Sequence, residues 1–197
     1  MKKEVNREND LASVYNRYVN DLFTYGCYLG FERESVKDAI QDVFVKISTS
    51  KSNLTEISHL KFYLFKSLKN RLYDLYRQKK DHLVLDELTT NAEMPFHIDL
   101  NIEDLLIEEE ERLHIRNEIT KMLSLLTHRQ REIVYLRYVQ EYEYHQIADL
   151  LDISVNGCRK LVSKALQKLR EEYGDRLALL IPTLLVTLTN GQIPPNC

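Results

Sequence analysis

Tyr144-His145-Gln146-Ile147-Ala148-Asp149-Leu150-Leu151-Asp152-Ile153-Ser154-Val155-Asn156-Gly157-Cys158-Arg159-Lys160-Leu161-Val162 is the stretch from which the fold is read. Ile147, Leu151, Ile153, Cys158 and either Leu161 or Val162 fall where two helices crossing at a short turn must bury apolar groups. Ala148 is small at the point of close approach, and Asp152 tolerates the left-handed backbone such a turn uses. Ser154 can cap the second helix. That helix carries Asn156, Arg159, Lys160, Ser163, Lys164 and Gln167 on its outer side, and residues 156–170 hold five basic residues and no acid. The pattern is that of a helix-turn-helix, whose second helix offers its first residues to base edges and its later lysines to phosphates. A helical hairpin with a solvated basic face is the alternative that charge alone allows.

Upstream, Thr127-x-x-Gln130 reads as a capping box opening a helix through Val139, and a further helix covers 113–126. A helix is expected over roughly 142–151, and the last one reaches Glu172. In the first part of the chain, Leu11, Val14, Tyr15, Tyr18, Leu22 and Tyr25 recur every three or four residues, which predicts a helix that Gly26 and Gly30 loosen at its end. Ser35-x-x-Asp38 reads as the cap of a second helix with Val36, Ile40, Val43, Phe44 and Ile47 along one stripe. Residues 48–53 are polar and read as a loop. A third helix runs from about 58 to 80 with Leu60, Leu64, Leu68, Leu72 and Leu75 inside. The fold class is therefore all-α: two small helical domains, 1–80 and 112–174, joined by an acidic linker over 81–111 and followed by an uncharged apolar tail, 175–197.

Composition agrees with this reading and excludes others. The chain of 197 residues has only five Gly and four Pro, too few for a turn-rich β fold. No Gly-rich phosphate loop, His-Glu-x-x-His or Gly-x-Ser-x-Gly is present, so no enzyme, metal or cofactor is expected. Cys27, Cys158 and Cys197 lie far apart without metal-ligand spacing, and the first residues lack a signal-peptide core; both point to a reducing cytoplasm. The apolar stretch 177–188 is broken by Pro182 and falls short of the ~20 residues that span a bilayer, so stable membrane insertion is not expected. Net charge is −3, but it is unevenly placed. Residues 60–80 hold seven basic residues against Asp74 alone, whereas 81–118 hold twelve acids against Arg112 and Arg116. Two basic segments flanking an acidic middle suggest two binding surfaces.

Four segments resemble one family. Asp38-Ala39-Ile40-Gln41-Asp42-Val43-Phe44-Val45-Lys46 is similar to the polymerase-binding helix of the extracytoplasmic-function sigma factors. Phe62 to Lys80, with Lys69-Asn70-Arg71-Leu72 and Asp74-Leu75-Tyr76-Arg77, resembles the helix that follows. Leu126-Thr127-His128-Arg129-Gln130-Arg131-Glu132 resembles the opening of the second domain, with Thr127 where Pro is common. Residues 147–155 resemble the helix-turn-helix, with Asn156-Gly157-Cys158 where Gly-Thr-Val is usual and Leu161 where Arg is common. Phe62 stands near a point where the family often has Trp.

The resemblance implies roles. Asp38, Gln41, Asp42 and Lys46 would dock on core RNA polymerase, while Val43, Phe44 and Ile47 are core by their spacing. The loop bearing Ser48, Thr49, Ser50, Lys51 and Asn53 would receive a base flipped from the minus-ten promoter element, a step that costs a few kcal/mol and needs nearby positive charge. Lys66, Asn70, Asp74, Arg77 and Lys80 would line the opened or upstream DNA. Ser154, Asn156, Arg159, Lys160, Ser163 and Lys164 would read the minus-thirty-five element. The implied partners are core RNA polymerase, promoter DNA and an anti-sigma factor. The alternative is a helix-turn-helix regulator that binds operators without replacing the sigma subunit; it accounts for residues 112–172 but not for 38–46 or the basic third helix. A helical adaptor that binds no DNA is a further alternative.

Overall fold

The computed structural model describes residues 11–49, 59–81, 96–98 and 109–174. Among them every regular element is helical, and the chain divides into two compact units between Met94 and Pro95.

In the first unit, α1 spans Leu11–Tyr28, α2 Arg33–Thr49 and α3 Leu60–Asp81, and the three pack against one another. The expected stripe of α2 is buried in full: Val36, Ile40, Val43, Phe44 and Ile47, joined by Ala39. On α3, Leu64, Leu68 and Leu72 are wholly buried together with Phe65, while Leu60 and Leu75 are half-buried at the ends. Each fully buried leucine contributes ~1.5–3 kcal/mol by transfer from water alone. Aromatic pairs complete the packing, Tyr15 edge-on to Phe44 and Tyr25 tilted against Phe65, both at 5.0 Å between centroids.

Two sequence expectations change here. Helix α2 begins at Arg33, because the Val36 amide already donates to the Glu32 carbonyl at 3.0 Å; Ser35 thus lies inside the first turn instead of capping it. Gly26 does not loosen α1 but is buried where α1 meets α2. A Cβ there would stand 2.6 and 2.9 Å from the two methyl carbons of Val36, so hydrogen is the only side chain the crossing accepts. Gly30, at φ 85°, is the glycine that ends the helix, turning the chain in the left-handed region.

In the second unit, α4 spans Glu109–Ser124, α5 His128–Val134, α6 Tyr144–Leu151 and α7 Val155–Tyr173. Helix α4 starts four residues before the apolar pattern does, where a run of glutamates favours the positive end of a helix dipole. The Thr127 box forms as read: the Gln130 amide donates to the Thr127 hydroxyl at 3.3 Å, and the Thr127 amide donates to the Gln130 side chain at 3.0 Å. The helix does continue to Val139, but its last residues, Tyr135–Val139, widen into a π turn whose closing bond runs from the Gln140 amide to the Tyr135 carbonyl at 3.1 Å. Phe96, within the stretch that charge assigns to a linker, is 1% exposed and stacks 5.7 Å from Tyr135.

Replacing Gly26 by Ala is expected to destabilise the chain by about 1–3 kcal/mol through overpacking against Val36. Chemical denaturation checks it, and Val36→Ala should recover part of the loss.

Candidate nucleic-acid interface

The second-unit surface is built around the turn between α6 and α7. Helix α6 starts at Tyr144, where the Glu143 amide donates to the Gln146 side chain at 2.9 Å, a cap the sequence reading did not identify. It ends at Asp152 (φ 52°, ψ 49°), whose amide, like that of Ile153, donates to the Ala148 carbonyl. Arg129 reaches across from α5 and donates to the Leu151 carbonyl at 2.9 Å, satisfying one more acceptor at that helix end. Ser154 then caps α7, its hydroxyl accepting from the Gly157 amide at 3.0 Å.

With the turn fixed, α7 has one orientation. Cys158, Val162, Ala165 and Leu169 are buried, and Leu161 is half-buried, so Val162 is the core residue of the pair left open by spacing. Burial pushes the Cys158 thiol up, opposed only in part by the charge of Arg129, which suits a packed thiol. The remaining side presents every residue expected to face DNA: Ser154, Asn156, Arg159, Lys160, Ser163 and Lys164 are all exposed. They share one face because positions three and four apart align along a helix. Their N–H donors and positive charge can neutralise phosphates and meet base edges.

The first-unit surface lies on α2 and α3. Asp38, Gln41, Asp42 and Lys46 are exposed, and Val45, missed in the sequence reading, joins them at 60% exposure. Its signal was available: Val45 falls out of step with the buried stripe of 36, 40, 43, 44 and 47. Asp42 is not free. Its Oδ2 accepts from Arg71 of α3 twice, from Nε at 2.8 Å and from Nη2 at 2.7 Å. Both side chains remain partly open to solvent, which screens the pair and limits it to about 0.2–1 kcal/mol.

On α3, Lys66, Asn70, Asp74 and Arg77 run along one face, Lys66 half-buried and the rest exposed. Asp74 and Arg77 pair at 3.3 Å, so Arg77 offers this face less uncompensated charge than an unpaired arginine would. Ser48 and Thr49 belong to the last turn of α2 and not to a loop. Their hydroxyls donate back to the Val45 carbonyl at 2.8 and 3.0 Å, occupying acceptors that a helix end leaves open. Ser50, Lys51 and Asn53 lie outside the described residues, as do residues 82–95 and 99–108 of the acidic segment and the tail from 175 to 197; Lys80 lies in the last turn of α3, its side chain undescribed. Among the described residues no group of three His, Cys, Asp or Glu could hold a metal ion, and no helix is long and apolar enough to cross a membrane.

Comparison with known proteins adds an independent line. The family model described as Sigma-70, region 4 matches residues 116–169. The chain is 23% identical to the RNA polymerase sigma factor SigZ of Bacillus subtilis (strain 168), over 82% of this chain and 86% of that protein. It is 22% identical to the ECF RNA polymerase sigma factor SigM of the same organism, over 83% of this chain and 94% of the other. Among solved structures it is similar to the sigma factor RpoE in complex with the anti-sigma factor NepR from Bartonella quintana, with a TM-score of 0.54 and 20% identity over 83% of this chain and 96% of that one. At that identity the structural likeness speaks to the fold.

Ser154→Ala should lower stability by ~1 kcal/mol through the lost cap. Urea unfolding reads the difference; an unchanged midpoint would mean the Gly157 amide finds an equal partner elsewhere.

Proposed function

The chain belongs to the extracytoplasmic-function sigma factors, and we propose that it directs RNA polymerase to its promoters as a dissociable subunit with two separate working surfaces. The observation that carries this reading is the pairing of an exposed α2 stripe in the first unit with a capped helix-turn-helix in the second. A regulator that acts alone needs only the latter.

In this reading residues 1–80 serve as the polymerase and minus-ten domain and 112–174 as the minus-thirty-five domain, with 81–111 between them. Asp38, Gln41, Asp42, Val45 and Lys46 dock on core polymerase. Asn70, Asp74 and Arg77, with Lys66 and Lys80, attend the opened strand together with the segment around Ser48, Thr49, Ser50, Lys51 and Asn53. Helix α7 enters the major groove with Ser154, Asn156 and Arg159 toward the bases, while Lys160, Ser163 and Lys164 meet the backbone. The work is differential binding to opened DNA, so no covalent step, metal or cofactor belongs to it. The place of action is the cytoplasm, with the polymerase.

Binding of the full chain to purified core RNA polymerase tests the reading. Wild type should bind one to one, and Asp38→Arg or Gln41→Arg should weaken binding at least tenfold. These positions are better probes than Asp42, where charge reversal also strands Arg71 beside a like charge. A folded wild type that fails to bind core polymerase would overturn the proposal.

An anti-sigma factor is the proposed antagonist, as the family implies. It should compete with core polymerase for the free chain in a displacement assay; a partner that binds without competing would contradict this.

A further inference from the structure

Arg159 is the one basic residue in the first turn and a half of α7, the part of a recognition helix that reaches base edges. A long exposed arginine samples many rotamers, and each contact it makes must first overcome that freedom. Here its guanidinium carbon stands 5.7 Å from the ring centre of Tyr144, the first residue of α6. The same ring is held by a second guanidinium, that of Arg137 in the π turn, at 4.9 Å. Arg137 is itself fixed: its Nη1 donates to the Tyr142 carbonyl at 2.9 Å and lies 3.5 Å from a carboxylate oxygen of Glu143. The π turn thus anchors Arg137, Arg137 holds the Tyr144 ring, and the ring stands against Arg159.

The chemistry of the last link matters. An arginine held by a carboxylate spends its N–H donors and its charge on that partner. An arginine held over an aromatic face keeps both, since the ring attracts the cation through its quadrupole and accepts none of the five N–H groups in the guanidinium plane. Among the described residues no carboxylate pairs with Arg159, and it is exposed. It is therefore restrained while its donors stay available for an acceptor-rich edge or a phosphate.

We propose that Tyr144, buttressed by Arg137, is a positioning residue that pre-orients Arg159 for promoter contact. The inference rests on the reading of α7 as the minus-thirty-five helix, and adds a residue on α6 that acts through another side chain.

Two measurements test it. In the free full-length protein, the Nε–Hε proton of Arg159 should be shifted upfield by the ring current in wild type and in Tyr144→Phe, and should return to its ordinary position in Tyr144→Leu. In the holoenzyme, affinity is measured for a duplex that the wild-type holoenzyme selects from a library randomised upstream of the start site. Tyr144→Leu should weaken binding about two- to fivefold, the reach of an exposed cation–π contact, and Tyr144→Phe should stay within twofold. In an Arg159→Ala background, Tyr144→Leu should cost nothing more. An undiminished further loss in that background would show that Tyr144 acts directly or through the fold, and would overturn the proposal. So would an unshifted Arg159 proton in wild type. If Arg159→Ala binds as wild type does, the assignment of Arg159 to DNA fails and the proposal with it; a persisting ring-current shift would then mark the failure as one of the α7 reading and not of the stacking.

Discussion

At Asp152 the backbone turns left-handed, two successive amides converge on the Ala148 carbonyl, and two residues later the Ser154 hydroxyl takes the Gly157 amide. This constraint sets the direction in which α7 leaves α6, and the second unit depends on it. Given that direction, Cys158, Val162, Ala165 and Leu169 must face inward, and the basic and polar residues at 156, 159, 160, 163 and 164 must face out together. Arg129 at the Leu151 carbonyl and Arg137 at the Tyr142 carbonyl brace the two ends of α6 from the preceding helix and its π turn. A surface that must meet groove and phosphate needs this rigidity, because each disordered side chain it offers would weaken the contact it makes.

The electrostatics explain how an acidic chain can act on DNA. Net charge is −3, yet α7 carries no acid over residues 156–170 and α3 carries one over 60–80. At physiological salt, exposed charges more than ~8 Å apart are largely screened, so a DNA strand senses the nearby face and little of the remaining charge. Local pairing trims the first surface further: Arg71 is engaged with Asp42 and Arg77 with Asp74. The first unit is thus only moderately attractive to DNA on its own, which fits a factor whose strand contacts form once polymerase has brought the duplex to it.

Much of the fold was legible because it rests on periodicity and local capping. The α2 stripe, the leucines of α3, the Thr127 box, the Ser154 cap and the left-handed Asp152 each follow from residues at most four apart, or from a repeat of three and four. What was not legible depends on partners distant in sequence or on backbone register. Gly26 looks like a helix breaker until Val36 is placed against it. The Asp42–Arg71 pair spans 29 residues. The π turn at Tyr135–Val139 leaves no compositional mark, yet it sets the place of Arg137. Phe96 is one aromatic in an acidic stretch whose only signal was its own hydrophobicity, and the cap of α6 is the Gln146 side chain taking the Glu143 amide, at a position without the Ser, Thr, Asp or Asn that marks a helix start in sequence. The candidate residues of α7 were legible as lying together on its exposed side, whereas on α2 the sequence pattern placed Ser48 and Thr49 in a loop and did not single out the exposed Val45.

The most direct test of the account is permanganate probing of unpaired thymines on a duplex that the reconstituted holoenzyme selects from a randomised library. The account predicts reactive thymines near the start site only when the chain and core polymerase are both present, together with run-off transcription from the same template. Tight binding of the duplex by the chain alone, as a dimer and with no thymine exposed when polymerase is added, would contradict it and identify a regulator that acts without opening DNA.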